Sequence, residues 1–320
     1  MSTLSNLLAS GFIVRQPPGN GPGYWAGAPG AFYEPSERAW YLTYRLRRPR
    51  GVEPDRGGET RIARSTDLRH WDDVWSVTKD RFGSASIERC ALRLGPDGWW
   101  RYFVSFVDPA DGRWCLSVLK ARDVSRFSPA EMRPVFKAPP LGLEGIKDPW
   151  IFQSQNTFYL LLSVALPTAS TTAQSHATLD IYNTGECVSA TGLAHSSDLD
   201  TWTWDGVVFA PAASGWDRYC RRLNSVLPLN GKFYGFYDGS AGHFENYEER
   251  TGLAVSSNLR EWTCLTPDSP LVTNTHGSGS LRYVDASVSG AQATLFYELA
   301  RPDGAHELRL ATVPVSELLG

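Results

Sequence analysis

Cysteine is scarce and scattered in this sequence of 320 residues. The five cysteines are odd in number, lie far apart and form none of the close pairs that bind zinc. We therefore expect buried free thiols and no metal site built on cysteine. The five are Cys90, Cys115, Cys187, Cys220 and Cys264.

Long apolar segments and long basic runs are also missing. No segment reaches the roughly 20 apolar residues of a membrane-spanning helix, and Met1 to Val14 has no positive charge ahead of its apolar residues, so we recognise no signal peptide. The formal net charge of -3 gives no electrostatic reason to expect nucleic acid or an anionic membrane as a partner. These absences predict a cytoplasmic protein with a small or uncharged partner, and they leave its oligomeric state open.

Aromatic residues, glycine and proline are abundant instead. The chain has 12 Trp, 13 Tyr, 14 Phe, 29 Gly and 21 Pro, a composition typical of short strands and tight turns. Neither a charge shift nor a polar linker divides the sequence. We therefore predict an all-β fold in one domain, residues 1–320.

A Ser-x-x-Leu-x-x-Trp pattern occurs three times, each time after an apolar run. The copies are Ser65 to Trp71, Ser196 to Trp202 and Ser256 to Trp262, with a weaker relative from Ala121 to Phe127. Short polar side chains at the start of each copy can bond to nearby backbone and stabilise a turn. Each copy therefore predicts a hairpin.

Five aromatic runs precede these turns or stand alone at the end of the chain, and they imply five units. With four strands in each unit, the predicted architecture is a five-bladed β-propeller of four-stranded antiparallel blades, in which ring closure hides the sheet edges. A β-sandwich with accidental repeats is the alternative. The runs are Trp40 to Tyr44, Trp99 to Phe106, Phe158 to Ser163, Phe233 to Tyr237 and Leu295 to Glu298.

Long predicted loops between second and third strands mark one end of such a propeller. They are Arg47 to Thr60, Leu166 to Thr191 and Gly239 to Thr251, and sites tend to lie on long loops of a rigid scaffold. The innermost strands should begin at this end, and several of their first residues are charged. These residues form either a network of ion pairs between blades or a polar pocket for a hydroxylated ligand.

The candidate site residues gather at this predicted end. Trp25 and Trp150 could stack on a sugar ring, although most of the 12 Trp must pack between blades. The polar candidates are Glu88, Arg89, Lys147, Asp148, Arg222, Asp238, His243, His276, Arg282 and Glu298.

Together these features resemble the five-bladed propeller glycoside hydrolases of families 43, 32, 62 and 68 and their relative family 130, over nearly the whole chain. The Ser-x-x-Leu-x-x-Trp turns are similar to the blade hairpins of that group, and Lys147 to Phe152 resembles its acid-Pro strand start. His276 resembles the axial histidine that some arabinan-cleaving members use near a central ion. The resemblance implies a glycosidase without a cofactor that acts on a small-molecule or oligosaccharide substrate, with a central ion near His276 as an option.

The carboxylates depart from the family-43 pattern, which implies a base in blade I, an orienting acid in a middle blade and a proton donor in a later blade. Blade I reads Gly27 to Gly30 with Ala28 where the base is expected, and blade IV begins with Arg221 and Arg222. Asp148 carries over cleanly, and Glu88 is an acid in a neighbouring blade.

Glycoside cleavage needs two such groups about 5 Å or about 6.5 to 9.5 Å apart. We therefore predict Glu88 as the general acid and Asp148 as the base or orienting acid. Asp238 is the next candidate to activate water, and the roles of these acids are open to exchange.

Two other functions fit the same residues. A phosphorylase similar to family 130 would bind phosphate through cations, of which the sequence offers Arg89, Lys147, Arg221, Arg222, Arg282 and His276. A non-hydrolytic propeller, which binds a sugar or acts on an anionic metabolite, would explain the altered carboxylates, since a fold alone does not fix a function.

Overall fold

The computed structural model describes residues 3–318, and β-strands dominate it. One short α-helix, α1, spans Thr3–Ala9, and the other helical segments of residues 3–318 are 3-10 turns of three or four residues. No helix in these residues is long and apolar enough to cross a membrane. The twenty strands fall into five antiparallel units along the chain. The prediction of an all-β fold is confirmed.

Consecutive strands pair within each unit. Unit I contains β2 (Trp25–Glu34), β3 (Ala39–Arg48), β4 (Arg56–Ser65) and β5 (Asp72–Thr78). Unit II contains β6 (Ile87–Leu94), β7 (Trp100–Val107), β8 (Trp114–Ala121) and β9 (Arg133–Phe136). Unit III contains β10 (Gly145–Ser154), β11 (Thr157–Pro167), β12 (Cys187–Ser196) and β13 (Thr203–Phe209).

The last unit takes its fourth strand from the other end of the chain. Unit IV contains β14 (Cys220–Leu229), β15 (Lys232–Ser240), β16 (Arg250–Ser256) and β17 (Thr263–Cys264). Unit V contains β18 (Leu281–Ser289), β19 (Gln292–Ala300) and β20 (His306–Pro314), and β1 (Phe12–Arg15) pairs antiparallel with β20.

Buried apolar clusters lie between neighbouring units. One cluster joins units I and II, and others join II to III, III to IV and IV to V. A further cluster packs Phe296 and Leu308 of unit V against Leu42 and Tyr44 of unit I. A single parallel pair, Trp25 with His306, also links the first and last units.

The repeated turns form by local hydrogen bonding, as their sequence predicts. In the second copy, Oγ of Ser196 accepts the backbone N–H groups of Asp198 at 3.1 Å and Leu199 at 2.9 Å. Asp198 Oδ1 accepts the next two N–H groups, and the indole N–H of Trp202 donates to the carbonyl of Leu199. Each turn connects the third strand of a unit to its fourth.

The first strand of every unit is interrupted by a bulge at the same relative position. The register shifts lie between Gly27/Gly30, Ile87/Cys90, Lys147/Trp150, Leu223/Ser225 and Arg282/Asp285. Bulges redirect side chains, and here Ala28, Asp148 and Tyr283 adopt positive φ angles of 53°, 55° and 54°. We call the first strands of the units the inner strands. Their bulges lie where these strands approach one another, for example at the bonds from Arg89 to Pro29, Asn224 and Asp285.

Candidate functional site

The bulges of three of these strands are bonded to the second strand of another unit. The backbone N–H of Ala28 donates to Glu298 Oε2 at 3.0 Å, and that of Tyr283 donates to Asp238 Oδ1 at 3.0 Å. The N–H of Asp148 donates to Oγ of Ser105 at 3.3 Å. Asp238 and Glu298 therefore help to join neighbouring units.

Glu88 lies against a guanidinium that sequence reasoning missed. Arg45 comes from the second strand of unit I, and its Nε is 3.0 Å from Glu88 Oε2, although the contact lacks the alignment of a hydrogen bond. Both side chains are almost fully buried. Nε and Nη1 of Arg45 and Oε2 of Glu88 have no hydrogen-bond partner within residues 3–318, so this buried pair retains unused hydrogen-bonding capacity.

Asp148 is close to the same place. Its Oδ1 accepts the N–H of Arg89, the residue next to Glu88, at 3.3 Å. Its Oδ2 has no hydrogen-bond partner in the described part of the chain and lies 3.8 Å from Lys147 Nζ and 3.9 Å from Arg222 Nη1. Burial raises the pKa of the Tyr283 hydroxyl, and the negative charges of Asp148 and Glu88 add to the rise. The structure thus brings the two predicted acids to one buried region.

A chain of ion pairs continues from this region through units IV and V. Arg222 contacts Glu249, which also accepts a hydrogen bond from Arg282 at 2.6 Å. Arg282 in turn donates to Glu298 at 2.6 Å and 2.9 Å. This part of the candidate site behaves as a structural network, one of the two alternatives that the sequence left open.

The two glutamates in this network stay ionised despite their burial. Burial alone would raise the pKa of Glu249, but Arg222 and Arg282 hold it at about 2. Burial likewise opposes ionisation of Glu298, yet Arg282 and the hydrogen bond from His306 hold its pKa below the usual range. These carboxylates suit charge compensation and do not suit proton donation.

Asp238 differs from its neighbours. Burial raises the pKa of Asp238 to about 7, and the negative charge of Glu249 adds to the rise. A carboxyl group that keeps its proton near neutrality is suited to general-acid chemistry. The backbone N–H of Tyr283 donates to Asp238, and the charges of Asp148 and Glu88 add to the effect of burial in raising the pKa of the Tyr283 hydroxyl.

Trp25 and Lys147 are packed rather than open. The Trp25 ring stacks on His306 with centroids 4.9 Å apart, and the Arg47 guanidinium lies 4.1 Å from its centroid. Lys147 Nζ lies 4.6 Å from the Tyr182 ring centroid. Trp25 is only 3% exposed, so it presents no free face to a sugar in this conformation.

Two long loops meet above these buried groups. The hydroxyl of Tyr247, in the loop of unit IV, donates a hydrogen bond of 2.5 Å to Oδ2 of Asp180, in the loop of unit III. Asn183 contacts both Tyr247 and Asn246, and Asn246 accepts a hydrogen bond from Arg222 below at 2.8 Å. We call this set of Asp180, Asn183, Asn246 and Tyr247 the loop latch.

A cavity of about 520 Å³ lies on the outer side of the loop latch. All four latch residues line it, together with Arg50, Thr178 and His243. Its wall of amide, hydroxyl, carboxylate and imidazole groups suits a hydroxylated ligand. Neither Glu88 nor Asp148 lines this cavity.

Four predicted site residues lie elsewhere. Arg89 is fully buried, and its guanidinium donates hydrogen bonds to Pro29, Asn224 and Asp285 of three other units. We call this buried side chain the Arg89 plug. Trp150 is on the far side of that plug, where its indole N–H donates to Asp285 at 2.9 Å. His243 is exposed at the rim of the outer cavity, and His276 is exposed on the loop before β18.

Arg45, Tyr283 and the loop latch were not predicted. The Arg45 position could have been found, because it is opposite Gly27 in the strand register just as Asp238 is opposite Arg222 and Glu298 is opposite Arg282. In Thr3 to Leu318, no group of three or more His, Cys, Asp or Glu side chains is arranged to hold a metal ion.

Comparison with solved structures identifies the fold. A thermostable family-43 glycoside hydrolase superposes with a TM-score of 0.66 at 14% identity, covering 94% of this chain and 92% of that protein. The chain has the family-43 glycoside hydrolase fold. No protein-family model and no curated protein matches the sequence.

Two other solved structures share this fold and are named for different activities. The endo-arabinase from Bacteroides thetaiotaomicron has a TM-score of 0.60 at 15% identity, with 90% of this chain and 93% of that chain covered. The β-1,2-mannobiose phosphorylase from Listeria innocua has a TM-score of 0.62 at 13% identity, with 95% and 94% covered. The fold is thus shared by proteins named for hydrolysis and for phosphorolysis.

Proposed function

We propose that the five units are the blades of one closed β-propeller domain, and that its axis holds a glycoside-cleaving site. Support for closure comes from the apolar cluster between units V and I and from the pairing of Trp25 with His306. The five bulges would then surround the axis. The domain would span the whole chain, residues 1–320.

The proposed reaction is cleavage of a glycosidic bond at Glu88, Asp148 and Asp238. The observation that carries it is the unused hydrogen-bonding capacity of Arg45, Glu88 and Asp148 in one buried region. Buried polar atoms without partners are costly, and a hydroxylated ligand would satisfy them. The family-43 fold supports the same substrate class.

The structure favours an exchange of the predicted roles. Arg45 compensates a negative charge on Glu88, an arrangement that suits an orienting carboxylate. Asp238, with its raised pKa, would give its proton to the leaving oxygen as the glycosidic C–O bond breaks. Asp148, whose Oδ2 is free of hydrogen bonds to residues 3–318, would take a proton from the attacking water.

Phosphorolysis is the second candidate. Arg45 Nη1 has no hydrogen-bond partner among the described residues. Lys147 Nζ lies 3.8 Å and Arg222 Nη1 lies 3.9 Å from Oδ2 of Asp148. These cations could hold phosphate in the position of the attacking water, since guanidinium groups bind phosphate oxygens well. The product would then be a sugar phosphate.

A panel of 4-nitrophenyl glycosides, assayed with and without inorganic phosphate, tests the proposal. Release of nitrophenol without phosphate supports hydrolysis, and release that requires phosphate supports phosphorolysis. In the active case, Asp148→Asn should lower kcat by about 100-fold or more. Asp108→Asn is the matched control, because Asp108 follows the second strand of unit II and pairs with Lys137 at 2.8 Å.

Two outcomes would count against catalysis. If the Asp148→Asn and Asp108→Asn variants lose activity equally, the axial acids are not the reacting groups. If no glycoside is cleaved but oligosaccharides bind, and binding persists in Glu88→Gln and Asp148→Asn, the protein is a non-hydrolytic sugar-binding propeller.

A further inference from the structure

A second cavity, of about 660 Å³, lies on the other side of Arg89 from the candidate active site. Each of the five inner strands lines it beyond its bulge. The contributing side chains include Phe32, Arg93, Phe152, Leu227 and Val288. A concave volume of this size suits a small molecule.

The floor of the second cavity is polar but already compensated. Asp285 lines it and receives hydrogen bonds from Arg89 at 3.1 Å, Trp150 at 2.9 Å and the backbone N–H of Ala31 at 2.7 Å. The Asp285 carboxylate and the Arg89 guanidinium balance each other. No net charge on the floor therefore demands a ligand.

Two charged side chains that line the cavity form no ion pair with the described residues: Glu34, whose carboxylate accepts the backbone N–H and the hydroxyl of Ser36, and Arg93. The Arg93 guanidinium donates to the carbonyls of Leu92 and Ile151 and lies 5.1 Å from the centroid of the Phe32 ring. It forms no ion pair with any residue from Thr3 to Leu318. Burial lowers the pKa of Arg93 to about 10, and the more distant carboxylate of Asp285 offsets this effect only in part.

Part of the remaining wall is aromatic. The ring centroids of Trp150 and Phe152 are 5.2 Å apart, and those of Phe152 and Tyr159 are 5.3 Å apart. Phe32, whose ring centroid is 5.1 Å from the Arg93 guanidinium, adds a further aromatic surface to the cavity. A flat apolar ring could pack on these faces while an attached anion reaches the guanidinium.

We propose that the second cavity is a binding site for a small aromatic carboxylate, held by Arg93 and by the rings of Phe32 and Phe152. The ligand would bind apart from glycoside chemistry, because Arg89 with its bonds to Pro29 and Asn224 closes the axis between the two regions. The proposal does not depend on the proposed function.

Calorimetric titration with benzoate and with benzyl alcohol tests the site. The two probes share the ring, and only benzoate carries the charge. Benzoate should bind more tightly, and Arg93→Gln should weaken benzoate by about tenfold or more while leaving benzyl alcohol unchanged. Arg126→Gln, at an exposed arginine of unit II, is the matched control and should bind both as the unaltered protein does.

Arg93→Gln also removes two backbone contacts, so its folding is checked by thermal unfolding. If it fails to fold, Val288→Trp at the rim should block benzoate by filling the cavity. Equal binding of the two probes, no benzoate binding by the unaltered protein, or benzoate binding that survives both substitutions would overturn the proposal.

Discussion

The hydroxyl of Tyr247 donates a 2.5 Å hydrogen bond to Asp180 and thereby connects the long loops of units III and IV. The bond lies over groups that are almost completely buried, among them Glu88 at 3% exposure and Asp148 at 2%. We therefore expect a ligand that approaches these acids from the cavity at the loop latch to part the two loops.

Loosening of the loop latch should expose a nearby thiol. Cys187 is buried, with its Sγ 3.5 Å from the carbonyl of Ile181 in the loop of unit III. Tyr247→Phe removes the bond to Asp180, so we expect faster alkylation of Cys187, measured by peptide mass spectrometry. Cys115, buried in unit II, is the internal control. An unchanged rate at Cys187, or an equal rise at both thiols, would contradict a local opening.

Asp238 should make stability depend on pH. Its folded-state pKa is about 7 against an ordinary value of 3.8, so between these values the unfolded chain releases a proton that the folded chain keeps. The unfolding free energy of the unaltered protein should fall as pH rises through this interval, by the linkage of proton binding to folding.

Asp238→Asn removes this dependence and keeps an oxygen that can accept the N–H of Tyr283. Its stability relative to the unaltered protein should therefore increase from about pH 4 to about pH 7 and level off above that. Urea unfolding across this range measures the difference. A difference that does not change with pH would show that Asp238 titrates normally.

The repeated turns should each contribute measurably to stability. Ser196→Ala leaves the N–H groups of Asp198 and Leu199 without their acceptor, and Leu199 is fully buried. We expect a loss of about 1–2 kcal/mol in the free energy of unfolding. Ser197→Ala is the control in the same turn, since Ser197 is exposed, and equal losses in the two variants would refute this role.

Arg89 should be essential to folding rather than to catalysis. Arg89→Met leaves the buried carboxylate of Asp285 without its partner at 3.1 Å, and we expect a loss of about 3–5 kcal/mol. Arg89→Met combined with Asp285→Asn should recover part of that loss, because the stranded charge is removed. Chemical unfolding of the single and double variants measures the coupling, and strictly additive losses would argue against it.

Strand pattern and turn chemistry predicted much of the fold from the sequence. The Ser-x-x-Leu-x-x-Trp copies form the expected turns, because the serine and aspartate bonds that make them are local. The five aromatic runs lie in β3, β7, β11, β15 and β19. Closure of the ring stays a prediction, since it depends on contacts between distant units.

The site was harder to predict, because bulges change which way a side chain points. In a regular strand Trp150 would share a face with Asp148, but the shift between Lys147 and Trp150 places it beyond the Arg89 plug. Arg45 reaches Glu88 from another unit, a contact that no local pattern reveals. The catalytic roles of Glu88, Asp148 and Asp238 stay predictions.

The pairing of β1 with β20 sets an order for folding on the ribosome. Phe12 faces Leu310, a partner synthesised almost 300 residues later. Until β20 emerges, β1 has no neighbour, and the sheet of unit V stays incomplete. The earlier units can assemble from contacts close in sequence. Pairing β1 with β20 loses the conformational entropy of closing a very long loop, so we expect it to be the last step.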